Sequence, residues 1–142
     1  MKQKQNRGLK MFYLSRQSLM NISGVDSRLI EIANLAIKIT PIDFGYPRDG
    51  GFRSAKTQNE LFKNGKSRCD GYDKKSKHQL GLAMDFYAYV NGRANWDKHS
   101  LAVVACAHMQ AAMDLGYQIQ WGGLWKGFAD YPHIEIERKI DE

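Results

Sequence analysis

Cysteine is scarce in this chain: among 142 residues only Cys69 and Cys106 carry a thiol. Two cysteines outside any C-x-x-C pair exclude a disulfide-framed scaffold. Cys106 sits in an Ala/Val-rich helical stretch and is expected as a small buried hydrophobe; Cys69, in a polar loop, is expected as an incidental free thiol. Long apolar runs are missing as well, and no segment reaches the ~20 residues that a membrane-spanning helix needs. The N-terminus carries Lys2, Lys4, Arg7 and Lys10, but its apolar run, Met11-Phe12-Tyr13-Leu14, is broken at Ser15-Arg16 and lacks a small-residue cleavage site. A secretory signal peptide is therefore not expected, and the chain is expected to stay in the cytoplasm where it is made unless something releases it. No repeat, low-complexity tract or Pro/Ser-rich linker divides it. The expectation is one domain over 1–142, with a loosely ordered basic segment over 1–15.

What is present is an ordinary globular composition, 43% hydrophobic and 25% charged, which excludes disorder as a reading of the whole. The formal charge of +6 favours anionic partners such as nucleic acid, anionic lipid or a cell-wall polymer. Apart from the N-terminal group and the loop Lys63 to Lys77, the basic residues are dispersed. No recognition helix or aromatic RNA-binding signature accompanies them, so nucleic acid is not expected as a partner.

Periodicity predicts a helix from about Arg28 to Ile39, capped by Asp26 or Ser27, with Leu29, Ile32, Ala33, Ala36 and Ile39 on its buried face. Pro41 ends it, and Phe44 to Phe52 is rich in turn residues. Ser54 caps a second predicted helix, Ala55 to Lys63, closed by Asn64-Gly65. After the polar loop Gly65 to Lys77, the run Leu80 to Val90 is expected as a strand stopped by Asn91-Gly92. A long helix follows over Lys98 to Leu115, between Asp97 and Gly116, with Leu101, Val104, Ala105, Ala112 and Leu115 buried. Short strands are expected at Tyr117 to Trp121 and His133 to Glu137, separated by the loop Gly122 to Asp130. Two early helices, a third between strands, and an antiparallel pairing of the late strands make the predicted class α+β.

The residues that carry chemistry lie in Ser76-Lys77-His78-Gln79-Leu80-Gly81-Leu82-Ala83-Met84-Asp85 and in Asp130-Tyr131-Pro132-His133-Ile134-Glu135. Hydrolytic zinc takes three ligands from His and Asp/Glu and keeps a fourth position open. His78 and Asp85 converge if the chain turns at Gly81, and His133 can join them from a neighbouring strand. On spacing alone a surface or core histidine is the commoner reading.

The pattern Ser76-x-His78-x-x-Gly81-x-Ala83-x-Asp85, followed by Asp130-x-Pro132-His133, resembles the signature of the LAS metallopeptidases. That group is named for lysostaphin, D-Ala-D-Ala metallopeptidases and the sonic hedgehog domain. With Trp121-Gly122-Gly123 it is most similar to the phage L-alanyl-D-glutamate endolysins, over roughly Arg16 to Glu137. The resemblance implies a hedgehog/DD-peptidase-like fold, in which a small antiparallel sheet carries a Zn2+ site and helices pack against it. It implies zinc ligands at His78, Asp85 and His133, a catalytic carboxylate at Asp130, and a substrate-side arginine at Arg53. Two neutral imidazoles and one carboxylate leave such a zinc site at net +1, a Lewis acid suited to hydrolysis. Gln58, Ser76 and Trp121 are further expected beside the substrate, and Glu135 is placed to support His133. His108 is expected as a packed core histidine, and Trp125 either lines a groove or packs.

The implied function is a monomeric endolysin that cuts the peptide stem of bacterial peptidoglycan, without stable membrane insertion. It would reach the wall from the infected cell's cytoplasm after the membrane is permeabilised. A D-Ala-D-Ala carboxypeptidase, against which Pro132 argues, and a non-catalytic zinc-bearing wall-binding domain are the rivals.

Overall fold

The computed structural model describes residues 10–137. Of the basic segment, 1–9 lie outside the described residues; from Lys10 to Ser15 the chain has no regular structure, yet Phe12 and Leu14 pack against the core. A short helix not expected from the sequence, α1 (Arg16–Asn21), follows, with the Ser15 side chain accepting from the Ser18 N–H. α2 (Ser27–Ile39) is capped by Asp26, α3 (Ala55–Lys63) by Ser54, and α4 (Lys98–Leu115) by Asp97 with Gly116 left-handed past its end. Each boundary is local chemistry: a short polar side chain satisfies an orphan N–H at the start.

Among the described residues six strands form two three-stranded antiparallel sheets. One has the order β1 (Asp43–Gly45), β3 (Tyr87–Val90), β4 (Arg93–Asn95); the other has β2 (Ala83–Asp85), β6 (His133–Ile136), β5 (Ile119–Trp121). The expected single strand Leu80 to Val90 is thus corrected to a 3-10 turn, Lys77–Leu80, and two strands in different sheets. The break falls at Phe86, whose side chain is fully buried and whose N–H donates to the Pro132 carbonyl at 2.8 Å; this is the last rung of the β2–β6 register, because Pro132 has no N–H to return. β1 overlaps the segment read as turn-rich, and β4 lies in a stretch to which the sequence assigned no element.

α2 and α4 make the most extensive helix contact and bury Leu29, Ile32, Ala33 and Ala36 against Leu101, Val104, Ala105 and Ala112. Two expectations fail by one step of helical phase. Ile39 is exposed while Ile37 and Thr40 are buried, and Cys106 is exposed because 101, 104, 105, 108 and 111 define the opposite face. Leu115 is only partly buried.

His108 is wholly buried, as expected, stacked on Phe86 with ring centroids 4.9 Å apart. Its Nδ1–H donates to the Val104 carbonyl at 2.8 Å, so its Nε2 accepts from the Tyr46 hydroxyl at 2.7 Å. Burial opposes the imidazolium and pushes the His108 pKa down to about 4. An unfolded histidine titrates near ~6.5, so the unfolded chain takes up this proton first. The stability contribution is complete above ~6.5, falls with pH below it, and levels off near the folded value. Acid should therefore remove roughly 3 kcal/mol through this group. Denaturant midpoints measured across that window should show the slope, and His108→Gln, which still accepts from Tyr46, should flatten it; an unchanged slope would assign the acid sensitivity elsewhere.

Candidate metal centre

The antiparallel register of β2 and β6 sets Asp85 opposite His133 and Ala83 opposite Glu135. Side chains alternate faces along a strand, so these four share one face while Met84 and Ile134, both fully buried, point into the core. Opposed positions bring side chains within reach: Asp85 Oδ1 lies 3.0 Å from His133 Nδ1.

His78 reaches the same oxygen from outside the sheet. Ser76 caps the 3-10 turn, and a reciprocal capping box with Gln79 locks it; Gly81 then ends it at φ 71° and releases the chain into β2. This puts His78 Nε2 3.3 Å from Asp85 Oδ1. The Gly50-Gly51 turn holds both residues: the Gly50 carbonyl accepts from the Asp85 N–H at 2.7 Å, and the Gly51 carbonyl accepts from His78 Nδ1–H at 2.9 Å. Gly51 cannot carry a side chain, because the Asn21 carbonyl occupies the place of its Cβ.

His78, Asp85 and His133 each offer one ligand atom within 4.8 Å of the others. The donor chemistry fits a zinc ion. His78 commits its Nδ1–H to a carbonyl, and His133 Nε2 faces Glu135 Oε1 at 2.9 Å, so His78 Nε2 and His133 Nδ1 are the nitrogens left for a metal. The 3.0 and 3.3 Å separations from Asp85 Oδ1 match the edge of about 3.3 Å that ~2.05 Å bonds give a tetrahedron.

The local charges respond to this crowding. Burial alone would raise the Asp85 pKa, but the two histidines outweigh it and hold the carboxyl well below the usual range. Burial likewise works against a charged His133, yet hydrogen bonds to Asp85 and Glu135 prevail and lift it to about 9. Glu135 is lowered, His133 overcoming the cost of its own burial. Asp130 is raised, first by burial and then by the negative charge of Asp85. Its Oδ2 lies 3.8 Å from His133 Nδ1, and its side chain is 44% exposed, facing the groove. Gly122 sets that position: its carbonyl accepts from the Asp130 N–H at 2.8 Å, and the Asp130 carbonyl fills the space of a Cβ on Gly122.

The groove holds about 600 Å3 and is lined by His78, Asp85, Asp130 and His133 together with Arg53 and Trp125. Arg53 donates to the Asp49 carbonyl, to Gln58 Oε1 and, at 2.9 Å, to Asp85 Oδ2. Gln58, expected beside the substrate, lies beneath the groove with no exposed surface. Its carbonyl oxygen accepts from Arg53 and Ser76, and its amide donates to Ser67 Oγ and the Cys69 carbonyl, which exhausts its capacity. Ser76 lines the groove but commits its hydroxyl to Gln58 and to capping. Trp121, also expected at the substrate, instead donates its indole N–H to the Tyr131 carbonyl and packs edge-on against that ring. The aromatic wall of the groove is Trp125, 5.3 Å from the His133 ring, and Phe128. Phe128 carried no signal in the sequence, since its role depends on what stands across the groove.

Asp85 and His133 on one sheet face, met by His78 from the adjoining 3-10 turn, with a carboxylate of raised pKa beside them in an open groove, define the metallopeptidase class. The model of the phage L-alanyl-D-glutamate peptidase family matches residues 10–142. The chain is 32% identical over 128 residues to the L-alanyl-D-glutamate peptidase of Escherichia phage T5, covering 89% of this chain and 90% of that protein. It is 36% identical over 106 residues to the peptidoglycan L-alanyl-D-glutamate endopeptidase CwlK of Bacillus subtilis, covering 61% of this chain and 57% of that one. Among solved structures, the Serratia marcescens L-Ala D-Glu endopeptidase ChiX superposes with a TM-score of 0.77 at 29% identity, over 88% of this chain and 90% of that one. The chain belongs to the phage L-alanyl-D-glutamate peptidase family.

Proposed function

We propose that this protein is a zinc-dependent endolysin that hydrolyses the L-alanyl-D-glutamate bond in the peptide stem of bacterial peptidoglycan. The observation that carries the reading is the convergence of His78, Asp85 and His133 with Asp130 3.8 Å from His133 in one open groove. His78 Nε2, Asp85 Oδ1 and His133 Nδ1 would hold the zinc, which when bound supplies Lewis acidity towards the scissile carbonyl and towards water.

The chain's own groups do the rest. Asp130 accepts a proton from the attacking water as the oxygen adds to the alanyl carbonyl carbon. It then delivers that proton to the leaving glutamyl nitrogen as the C–N bond breaks. Its raised pKa suits a carboxyl that must both take and return a proton. Arg53 fixes the second oxygen of Asp85, so the first stays turned to the histidines, and its remaining N–H groups suit the developing oxyanion. Glu135 orients the His133 ring.

Acting as a monomer within one domain, the protein meets the wall in phage lysis once the membrane has been permeabilised; among the described residues no helix is long and apolar enough to cross a membrane. Digestion of purified peptidoglycan followed by mass spectrometry of the released ends tests the reading. A new glutamyl amino terminus is the expected product. Free D-alanine would make the protein a carboxypeptidase, and no released end from zinc-loaded protein would make it a binding domain.

A further inference from the structure

The groove is lined by six cations, Arg53, Lys66, Arg68, Lys74, Lys75 and Lys77, against three carboxylates. Two of the cations are already engaged: Arg53 with Asp85 and Lys77 with Glu137. Arg68 differs from the rest. Its guanidinium carbon lies over the Phe128 ring, 3.9 Å from the ring centre, which holds the group against one wall of the groove. Among the described residues its N–H groups meet no acceptor, and the residue is exposed. A guanidinium stacked by its face keeps its N–H edge for a planar, two-oxygen acceptor.

The backbone on both sides of Arg68 is also fixed. Gln58 donates to Ser67 Oγ at 2.7 Å and to the Cys69 carbonyl at 2.9 Å, while accepting from Arg53 and Ser76. One buried amide thus ties the loop carrying Arg68 to the arginine that holds Asp85. On the other side, Phe128 packs tilted against Trp125, with ring centroids 5.8 Å apart, and Trp125 reaches His133. Arg68 is therefore anchored from both walls of the groove, whereas Lys66, Lys74 and Lys75 are exposed point charges on flexible stems without an ion pair among the described residues.

An L-alanyl-D-glutamyl bond is followed by a residue with two carboxyl groups. When one continues the peptide, the other is free and negative at neutral pH. Arg53 has three of its five N–H donors committed within the protein. We propose that Arg68, pinned by Phe128, receives the free carboxylate of the glutamyl residue on the leaving side of the scissile bond and selects substrates that carry it. This rests on the peptidase reading above.

Two soluble peptides separate the cases, one with that carboxylate free and one with it converted to a carboxamide; neither brings any wall polymer. Zinc-loaded wild-type protein should favour the acid in kcat/KM by roughly 30-fold, the scale of a charge-assisted contact. Arg68→Gln should bring the ratio close to one through KM, with zinc content and melting temperature kept. Arg68→Lys should retain a few-fold preference, and Phe128→Leu should lower the ratio by freeing the guanidinium. Equal cleavage of both peptides by wild type, or the full ratio persisting in Arg68→Gln, would overturn this assignment and leave the peptidase reading intact. Cleavage of neither peptide by wild type would overturn both.

Discussion

Asp130→Asn should keep its zinc and lose its turnover. The substitution is nearly isosteric and removes only the ability to take a proton, while His78, Asp85 and His133 remain as they are. The structure places Asp130 apart from the three: its nearer oxygen is 3.8 Å from His133 Nδ1, against 3.0 Å for Asp85, and its side chain is 44% exposed where that of Asp85 is 20%. General-base catalysis contributes roughly 10²–10⁴-fold, and the loss should fall on kcat, since the groove that binds substrate is unchanged. Stability should hold or rise, because the Asp130 carboxyl is raised by burial and by Asp85 and is thus disfavoured in its charged form. Zinc per chain, melting temperature and peptide-bond release measured on one variant decide the matter. Zinc lost together with activity would make Asp130 a ligand, and undiminished turnover would remove it from the mechanism.

His133→Ala should fail in both respects, losing zinc and activity together. It removes one of the nitrogens proposed to hold zinc, and it also strips Asp85 and Glu135 of the ring that bridges them at 3.0 and 2.9 Å. Two carboxylates then face a partly buried space with less to balance them. Zinc chelation of the wild type is milder, because the metal-free His133 is held protonated, its pKa lifted to about 9 by those same two partners against the cost of burial. The melting temperature should therefore descend from zinc-loaded wild type through chelated wild type to His133→Ala. The last step should cost about 2 kcal/mol, or roughly 5–10 °C for a chain of this size. A variant that still bound one zinc per chain with full activity would show that the ligand set is wrong.

Much of this site was legible before any coordinates. His133 and Glu135 sit two apart on a strand, which puts them on one face whatever the rest of the molecule does. Asp85 is the one carboxylate in the apolar run Leu80 to Val90, where its neighbours Met84 and Phe86 are buried. The helix limits at Asp26, Ser54, Asp97 and Gly116 were legible for a similar reason, since a cap is a bond between neighbours. Where the reading from sequence went astray, the deciding partner was distant. Gln58 has the look of a polar residue one turn along from Arg53, and only the packing of the 67–69 backbone over α3 turns it into a buried clamp. Trp121 and Trp125 are equivalent as sequence; Tyr131 claims the first and the groove keeps the second.

The sequence by itself determined the class of the fold and the helix limits, while the three residues that meet at the centre and the carboxylate beside them were implied by the resemblance of its two motifs to a known family. Periodicity, capping and short-range motif spacing act over a few residues and survive in one dimension. The tertiary structure alone decided that the run after His78 splits between two sheets at Phe86, and that Arg53 grips Asp85. It also decided that Arg68 and Phe128, 60 positions apart, close one side of the groove. Those outcomes depend on which side chain fills a space that exists only after strands far apart in sequence have paired, and no local pattern encodes that competition.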